Sequence, residues 1–251
     1  MTYIVYLLAG IFLPLFPLSM PFNLLYARVR HPFLRGLLLL SWPQIGLVII
    51  FTYDVVVPSW LIALALLTSL LYALRSLALR DLALWTSFFA TSAWALLWIL
   101  FDHGVNAVQL HLIGLGVSAP LLLMAMLGAG LERRFGAAYL GLYGGLAHSI
   151  PRFSGVLVVV VLAIIATPLF PTFFAMLSLI INAMSAAPLV AVGIASVWLL
   201  WSWAGARLLQ GLIVGPQDKT VEDLSQTSMW LYIAVLVALV FAGIYWLGGL
   251  T

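Results

Sequence analysis

The chain has 251 residues, of which 65% are hydrophobic and only 7% are charged, and its mean hydropathy is +1.22. Soluble domains carry about 25% charged residues, so this composition excludes a water-soluble globular fold and predicts an all-α polytopic membrane protein. The net charge of +3 does not indicate a nucleic-acid partner, because the basic residues occur in ones and twos rather than in one patch.

Eight apolar runs are long enough to cross a bilayer as helices, which takes roughly 20 residues each. No long polar domain separates them, so we expect a single membrane domain over residues 1–251. A count of seven or nine spans is the alternative, if the seventh or the sixth run is broken. The predicted spans cover residues 3–27, 34–57, 59–78, 83–101, 105–131, 154–181, 186–213 and 229–249.

The first span contains Pro14, Pro17 and Pro21. Proline lacks a backbone N–H and clashes with the preceding helical turn, so we expect these residues to kink the helix. No basic segment precedes the run and seven more spans follow it, which favours a retained helix over a signal peptide.

The basic residues predict the orientation of the spans. All of them fall at the joints after the odd-numbered spans, and short basic loops remain cytoplasmic. Both termini are therefore predicted on the outer side of the plasma membrane, the inner membrane in a bacterium. We interpret the charged groups as solvated groups at helix ends. They are Arg28, Arg30, Arg35, Arg75, Arg80, Arg133, Arg134, Arg152, Arg207 and Lys219, with Asp54, Asp81 and Asp102 among the acids.

The side chain of His111 is an ionisable group that we do not place among the solvated groups at helix ends. His111 is about two turns into the fifth span, and Ser118 follows seven residues later on the same side of the helix. A histidine that titrates near neutral pH is a candidate relay point for a proton or cation. The structural alternative, which we favour for a single histidine, is a hydrogen bond to a neighbouring helix.

The sixth span contains two prolines near its middle. Pro168 and Pro171 remove backbone donors, and the freed carbonyl groups must be satisfied by protein or water rather than lipid. We therefore predict a broken helix. Such breaks line a cavity in transporters, which adds Thr167 and Thr172 to the candidate ion path, whereas a proline kink without a cavity is equally plausible.

Two further patterns concern packing. Ala187, Ala191 and Ala195 place a small residue at every fourth position of the seventh span, which predicts a close helix–helix interface. Most tryptophans, including Trp85 and Trp201, lie near predicted span ends and indicate an aromatic belt at the membrane interface.

No pattern of an enzyme active site is present. The chain lacks cysteine, its four histidines are separated, and it has neither a nucleophile elbow nor a phosphate-binding glycine loop. We therefore predict no catalytic residue, no metal site and no cofactor in this chain.

Four short motifs occur in a recognisable order over about 110 residues. Together they make the segment from Leu70 to about Ile181 resemble the second half of the antiporter-like proton-channel subunits. These subunits occur in respiratory complex I, in multi-subunit cation/proton antiporters and in inorganic-carbon uptake systems. The motifs are LRDLALWTS (79–87), AVQLHLIGLGVSAPLLL (107–123), YGGLAHSIP (143–151) and ATPLFPTFF (166–174).

The departures from this resemblance concern the charged residues that carry protons in the family. Ala83 stands in place of a buried lysine, Leu115 in place of a second histidine, and Ala119 in place of another lysine. The positions around Met176, where the family has a Lys or Glu, are uncharged. The relay of buried charges that the family uses is therefore missing.

The resemblance implies an accessory or scaffolding subunit of an ion-translocating complex coupled to the proton-motive force. Its partners are then other membrane subunits, including a full-length antiporter-like subunit and a soluble catalytic subunit. One alternative is a directly ion-conducting subunit of an inorganic-carbon uptake or cation/proton antiport complex. A second is a stand-alone carrier of a neutral solute. The antiporter-like core would cover about 70–181, flanked by helices within 1–57 and 186–251.

Overall fold

The computed structural model describes residues 2–53, 55–142, 144–215 and 221–247, so Asp54 and Lys219 of the charge pattern lie outside the described residues. These residues form helices without any strand, which confirms the all-α polytopic fold. The helices are α1 (Thr2–Phe12), α2 (Met20–Arg28), α3 (Pro32–Thr52), α4 (Ser59–Ala78), α5 (Leu82–Ala95), α6 (Leu97–Asp102), α7 (Ala107–Phe135), α8 (Leu146–Ser149), α9 (Pro151–Ile164), α10 (Pro171–Ala186), α11 (Pro188–Ile213) and α12 (Gln226–Leu247).

Six of the predicted spans correspond to helical segments that are long and apolar enough to cross a membrane. They are α3, α4, α5 together with α6, α7, α11 and α12. The remaining two predicted spans each correspond to a pair of shorter helices, α1 with α2 and α9 with α10. The count of eight membrane crossings and the side of the termini stay predictions.

Helix α5 and its continuation α6 lie at the centre of the bundle. Asp81 caps the helix, because its carboxylate accepts hydrogen bonds from the backbone N–H groups of Ala83 and Leu84 at 2.8 and 3.1 Å. Almost every side chain of the helix is buried, including its serines and threonines, and α2, α4 and α7 pack around it. A helix that is buried on all sides needs partners for its polar groups, and these partners define the polar core of the protein.

The aromatic-belt interpretation is wrong for two tryptophans. Trp85 is 1% exposed and Trp201 is 2% exposed, and both rings contact Phe89 in the centre of the bundle. Both residues lie near a span end in sequence, but neighbouring helices cover them. Trp60 and Trp203 are exposed, as a membrane-interface position requires.

The joints on the arginine-rich side are ordered by polar contacts. The Asp223 carboxylate accepts hydrogen bonds from the first backbone N–H groups of α9, at Arg152 (2.9 Å) and Phe153 (3.1 Å). The Arg134 guanidinium at the end of α7 donates to the carbonyl oxygens of Glu222 (2.8 Å) and Asp223 (3.4 Å). These contacts hold the segment before α12 against the end of α7 and the start of α9.

Candidate functional site

The first helix break covers residues 13–19, between α1 and α2. Here the expectation of a kink is wrong, because seven residues separate two distinct helices. The indole N–H groups of Trp42 and Trp98 donate to the carbonyl oxygens of Ile11 and Leu13, each at 3.0 Å. Neighbouring helices therefore supply donors that the prolines of this segment cannot.

Helices α3 and α4 also contact the first break. Thr68 of α4 accepts a hydrogen bond from the Phe16 N–H at 3.0 Å, and the hydroxyl groups of Ser19 and Tyr72 lie 2.7 Å apart. A Cβ atom added to Gly46 of α3 would lie 2.9 Å from the backbone nitrogen of Leu13. Glycine at position 46 is thus required for the close approach of α3 to the break.

The second break covers residues 165–170, between α9 and α10, where the sequence predicts a broken helix. Ala166 and Leu169 adopt left-handed backbone conformations, with φ values of 59° and 85°. The hydroxyl of Thr167 donates to the Leu162 carbonyl oxygen at 2.9 Å, and that of Thr172 donates to Ala163 at 2.6 Å. The two threonines thus bind carbonyl groups that the interruption of the helix frees.

Two peripheral helices complete the surroundings of the second break. The Trp198 indole of α11 donates to the Ile165 carbonyl oxygen at 3.2 Å. Gly205 of α11 faces Ile165, and Gly243 of α12 faces the carbonyl oxygen of Leu169 so closely that a Cβ atom there would overlap it. The partners of the freed Leu162, Ala163 and Ile165 carbonyl groups are therefore protein donors.

The prolines of the second break occupy different environments. Pro168 is exposed at the surface, whereas Pro171 is buried at the first position of α10, where a missing N–H has no consequence for the helix.

His111 has a specific partner on α3. Its Nδ1 atom lies 2.6 Å from the Gln44 side-chain oxygen, and the Gln44 amide nitrogen donates to the His111 carbonyl oxygen at 3.3 Å. The absence of a side chain at Gly114 leaves room for this amide, since a Cβ atom there would lie 2.9 Å from it. Gln44 was not among the predicted site residues, although it carries the only side-chain amide of α3.

The polar groups of the central helix bind to neighbouring helices. The Trp94 indole donates to the Ser118 hydroxyl at 3.0 Å. The Trp201 indole donates to the Ser92 hydroxyl at 2.9 Å, and the Ser92 hydroxyl in turn donates to the Ser69 carbonyl oxygen at 2.8 Å. These indole and hydroxyl groups do not titrate near neutral pH, so the network orders the core without offering a proton-accepting group.

A cavity of about 20 Å³ lies between α5, α6, α7, α10 and α11. Thr172, Val117 and Met176 are among its lining residues, but neither His111 nor Ser118 is. A volume of this size holds about one water molecule. The structure therefore brings one residue of the candidate ion path, Thr172, to a small and mostly apolar chamber, and it leaves His111 outside.

Arg35 is not a solvated interface charge, so that interpretation is wrong for this residue. Its side chain is buried, its Nη1 atom lies 3.2 Å from the Glu132 carboxylate, and its Nε–H donates to the Val29 carbonyl oxygen at 2.6 Å. The guanidinium also lies over the Tyr26 ring at 5.6 Å. The position near a helix end led to the error, because α7 extends beyond its predicted end and covers this region.

The three alanines of α11 occupy different environments. Ala191 is buried, Ala187 is half-buried and Ala195 is exposed. Helix α11 also approaches α4 closely at Gly193, where an added Cβ atom would lie 2.6 Å from the Leu66 side chain.

The described residues contain no group of three His, Asp or Glu side chains placed to hold a metal ion. Buried hydroxyl, amide and indole groups instead form the hydrogen bonds around the two breaks and the central helix, whereas four buried side-chain atoms of the described residues have no hydrogen-bond partner: Tyr26 Oη, Trp85 Nε1, His103 Nε2 and Ser154 Oγ. Such an arrangement can hold broken helices in a bilayer, because it satisfies backbone groups that lipid cannot.

No protein-family model matches the chain, and no curated protein matches it significantly. Its fold matches a chain of respiratory complex I from Thermus thermophilus with a TM-score of 0.81, at 19% identity, over 94% of this chain and 53% of the other. A chain of the membrane-bound sulfane sulfur reductase, an archaeal respiratory membrane complex, gives 0.80, at 17% identity, over 94% and 51%. A chain of the Mrp complex from Dietzia sp. gives 0.75, at 17% identity, over 99% and 56%.

These likenesses concern the fold. The chain spans about half the length of the solved chains it matches. The resemblance inferred from the four motifs is confirmed for the fold, since a chain of complex I and a chain of the Mrp complex share the fold of this chain. None of these three complexes is an inorganic-carbon uptake system, and that host stays a prediction.

Proposed function

We propose that the chain is an antiporter-like membrane subunit of a multi-subunit complex that translocates ions or uses the proton-motive force, and that it acts there as an accessory or scaffolding subunit. One observation carries the proposal. The fold shared with subunits of such complexes encloses an interior that is neutral among the described residues, apart from Arg35, whose charge is paired with Glu132.

A proton path through a membrane has chemical requirements. Proton transfer through a membrane interior uses groups that titrate or pair, and such groups are costly in lipid unless they serve a function. The described core instead contains hydroxyl, amide and indole groups bound to carbonyl oxygens or to one another, as at Thr172 and Trp98. This arrangement supports a chain that maintains the antiporter-like shape and presents its outer surface to partner subunits.

The assignment includes a location and partners. The protein is integral to the plasma membrane, the inner membrane in a bacterium, with its arginine-rich joints in the cytoplasm and both termini outside. It forms one membrane domain, whose antiporter-like core covers about 70–181. A full-length antiporter-like subunit and a soluble catalytic subunit are the partners we propose, with the exposed Ala195 face of α11 as a contact surface.

The test is purification of the tagged chain from its native membrane in mild detergent, with mass spectrometry of the proteins that accompany it. We expect an antiporter-like membrane subunit to co-purify, and Ala195→Phe to reduce its recovery. Ala238→Phe is the matched control, because Ala238 is also exposed but lies on α12. A chain that is recovered alone and remains stable would contradict the proposal and favour a stand-alone carrier of a neutral solute.

A second candidate function is ion conduction through this chain. The cavity beside Thr172 and the hydrogen-bonded pair of His111 and Gln44 favour it, because both place polar groups within the bundle. On this alternative His111→Ala reduces ion transport by the assembled complex in proteoliposomes. The scaffolding function requires transport by that variant to match the wild type, with equal assembly verified by subunit stoichiometry.

A further inference from the structure

A groove of about 390 Å³ lies between α9 and α12. Its wall on α9 includes Gly155 and Val159, and its wall on α12 includes Val237 and Val240. Arg152 lies at the end of the groove where α9 begins, and Phe170 of the second break also lines it. The groove is therefore apolar along its walls and carries a cation at one end.

The dimensions of the groove favour a flexible chain as its occupant. The lining residues of α12 extend from Met229 to Val240, about 16 Å at 1.5 Å per residue. Since α9 and α12 pack against each other, the groove is a crevice in their seam. A helix about 10 Å wide would lie over such a crevice rather than within it, whereas an acyl chain fits between the walls.

Gly155 gives the groove its depth. A Cβ atom added there would meet no atom within 4 Å, so the space beside it is open. Arg152 is the only charged or polar residue among the described residues that line the groove. The groove lies between helices whose outer faces are exposed. In a bilayer this space is filled from the lipid phase, because an apolar crevice gains nothing from holding water.

The charges at the Arg152 end define the headgroup. The Arg152 guanidinium forms no hydrogen bond or ion pair within the described residues, since only its backbone N–H is bound, to Asp223. The Arg134 guanidinium lies near the same end of the groove, because it donates to the carbonyl oxygen of Asp223, whose carboxylate binds the Arg152 backbone N–H.

The acidic residues nearby do not bind the Arg152 guanidinium. The Asp223 carboxylate is occupied by backbone N–H groups, and Glu222 is exposed. The free guanidinium of Arg152 therefore complements a phosphate.

We propose that this groove binds an anionic phospholipid, with its phosphate on Arg152 and one acyl chain along Gly155 and Val159 toward Phe170. The proposal does not depend on the function assigned above. The bound acyl chain fills the space between α9 and α12, next to the second break, and so supports the packing of α12 against α9.

Native mass spectrometry of the purified full chain, titrated with phosphatidylglycerol or phosphatidylcholine, tests the proposal. The wild type is expected to retain one phosphatidylglycerol in preference to phosphatidylcholine. Gly155→Phe fills the groove and removes retention of both lipids. Arg152→Gln lowers the preference for phosphatidylglycerol about tenfold, while the acyl-chain site remains. Arg75→Gln and Ala238→Phe are matched controls, since both residues are exposed and lie outside the groove.

Two results would overturn the proposal. One is equal lipid retention by wild type and Gly155→Phe, with size-exclusion chromatography showing that the variant is folded. The other is a photo-cross-linking residue at position 237 that, in native membranes, forms adducts with a protein helix instead of a lipid.

Discussion

Both helix breaks leave backbone groups without helical hydrogen-bond partners, and the two breaks bind these groups in different ways. In the first break, the hydrogen-bond partners come from other helices: Trp42 of α3 and Trp98 of α6 donate to backbone carbonyl oxygens, and Thr68 of α4 accepts from a backbone N–H. In the second, Thr167 and Thr172 lie within or next to the break itself, and α11 adds only Trp198. The first break is therefore part of the tertiary core, whereas the second is largely satisfied by its own segment.

Substitutions at the glycines that contact the two breaks are expected to have the largest effects on stability. Gly46→Ala would bring a Cβ atom to 2.7 Å from the Leu13 side chain and 2.9 Å from its backbone nitrogen. Because α3 is held between α1 and α7, it cannot move away, and we expect a loss of about 3 kcal/mol of stability.

The corresponding change at the second break is Gly243→Ala. It creates a closer overlap, with the Leu169 carbonyl oxygen, but α12 is largely exposed and can shift outward. A smaller loss is therefore expected. Thermal stability in detergent, measured as the folded fraction that remains after heating, compares the two variants. Gly211→Ala is the control, since its added Cβ would lie 3.5 Å from the Leu140 side chain, an ordinary van der Waals contact. A larger loss for Gly243→Ala than for Gly46→Ala would contradict this ranking.

The tryptophan donors give the next largest difference. Trp98→Phe removes the donor to Leu13 in a region where both residues are fully buried, and we expect a loss of about 2 kcal/mol. Trp198→Phe removes the donor to Ile165, but Trp198 is half-buried, so the loss should be about half as large. The same heating assay separates the two effects, and Trp203→Phe at an exposed position is the control. Equal losses would show that the second break depends on its neighbours as much as the first does.

The sequence predicted the second break but not the first, although both contain prolines. Pro168 and Pro171 interrupt the middle of a long apolar run, so the local pattern was sufficient. At the first break, the Leu13 carbonyl oxygen is bound by Trp98, which lies 85 positions away. Whether Pro14 and Pro17 kink or interrupt the helix therefore depends on a tertiary contact. Local sequence carries no information about that contact.

The same limitation explains the other differences. Gln44 and His111 are 67 positions apart, so the pairing required the packing of α3 against α7. Arg35 was interpreted as solvated from its place near a helix end, but Glu132 on another helix covers and pairs it. Fold class and most helix positions follow from apolar periodicity, whereas the partners of buried polar groups follow from tertiary contacts.

Substitutions of the two threonines of the second break are expected to have the smallest effects. They test whether this break is stabilised by hydrogen bonds from its own residues. Thr172→Val removes the donor to Ala163 in a buried position, and we expect a loss of about 1 kcal/mol. Thr167→Val should change stability by less than about 0.5 kcal/mol, because the backbone N–H of Thr167 also donates to the Leu162 carbonyl oxygen, at 3.2 Å. The two valine variants are matched in shape and differ in whether a backbone donor remains. If Thr167→Val is the more damaging, the hydroxyl rather than the backbone N–H binds Leu162, and the second break depends on its side chains alone.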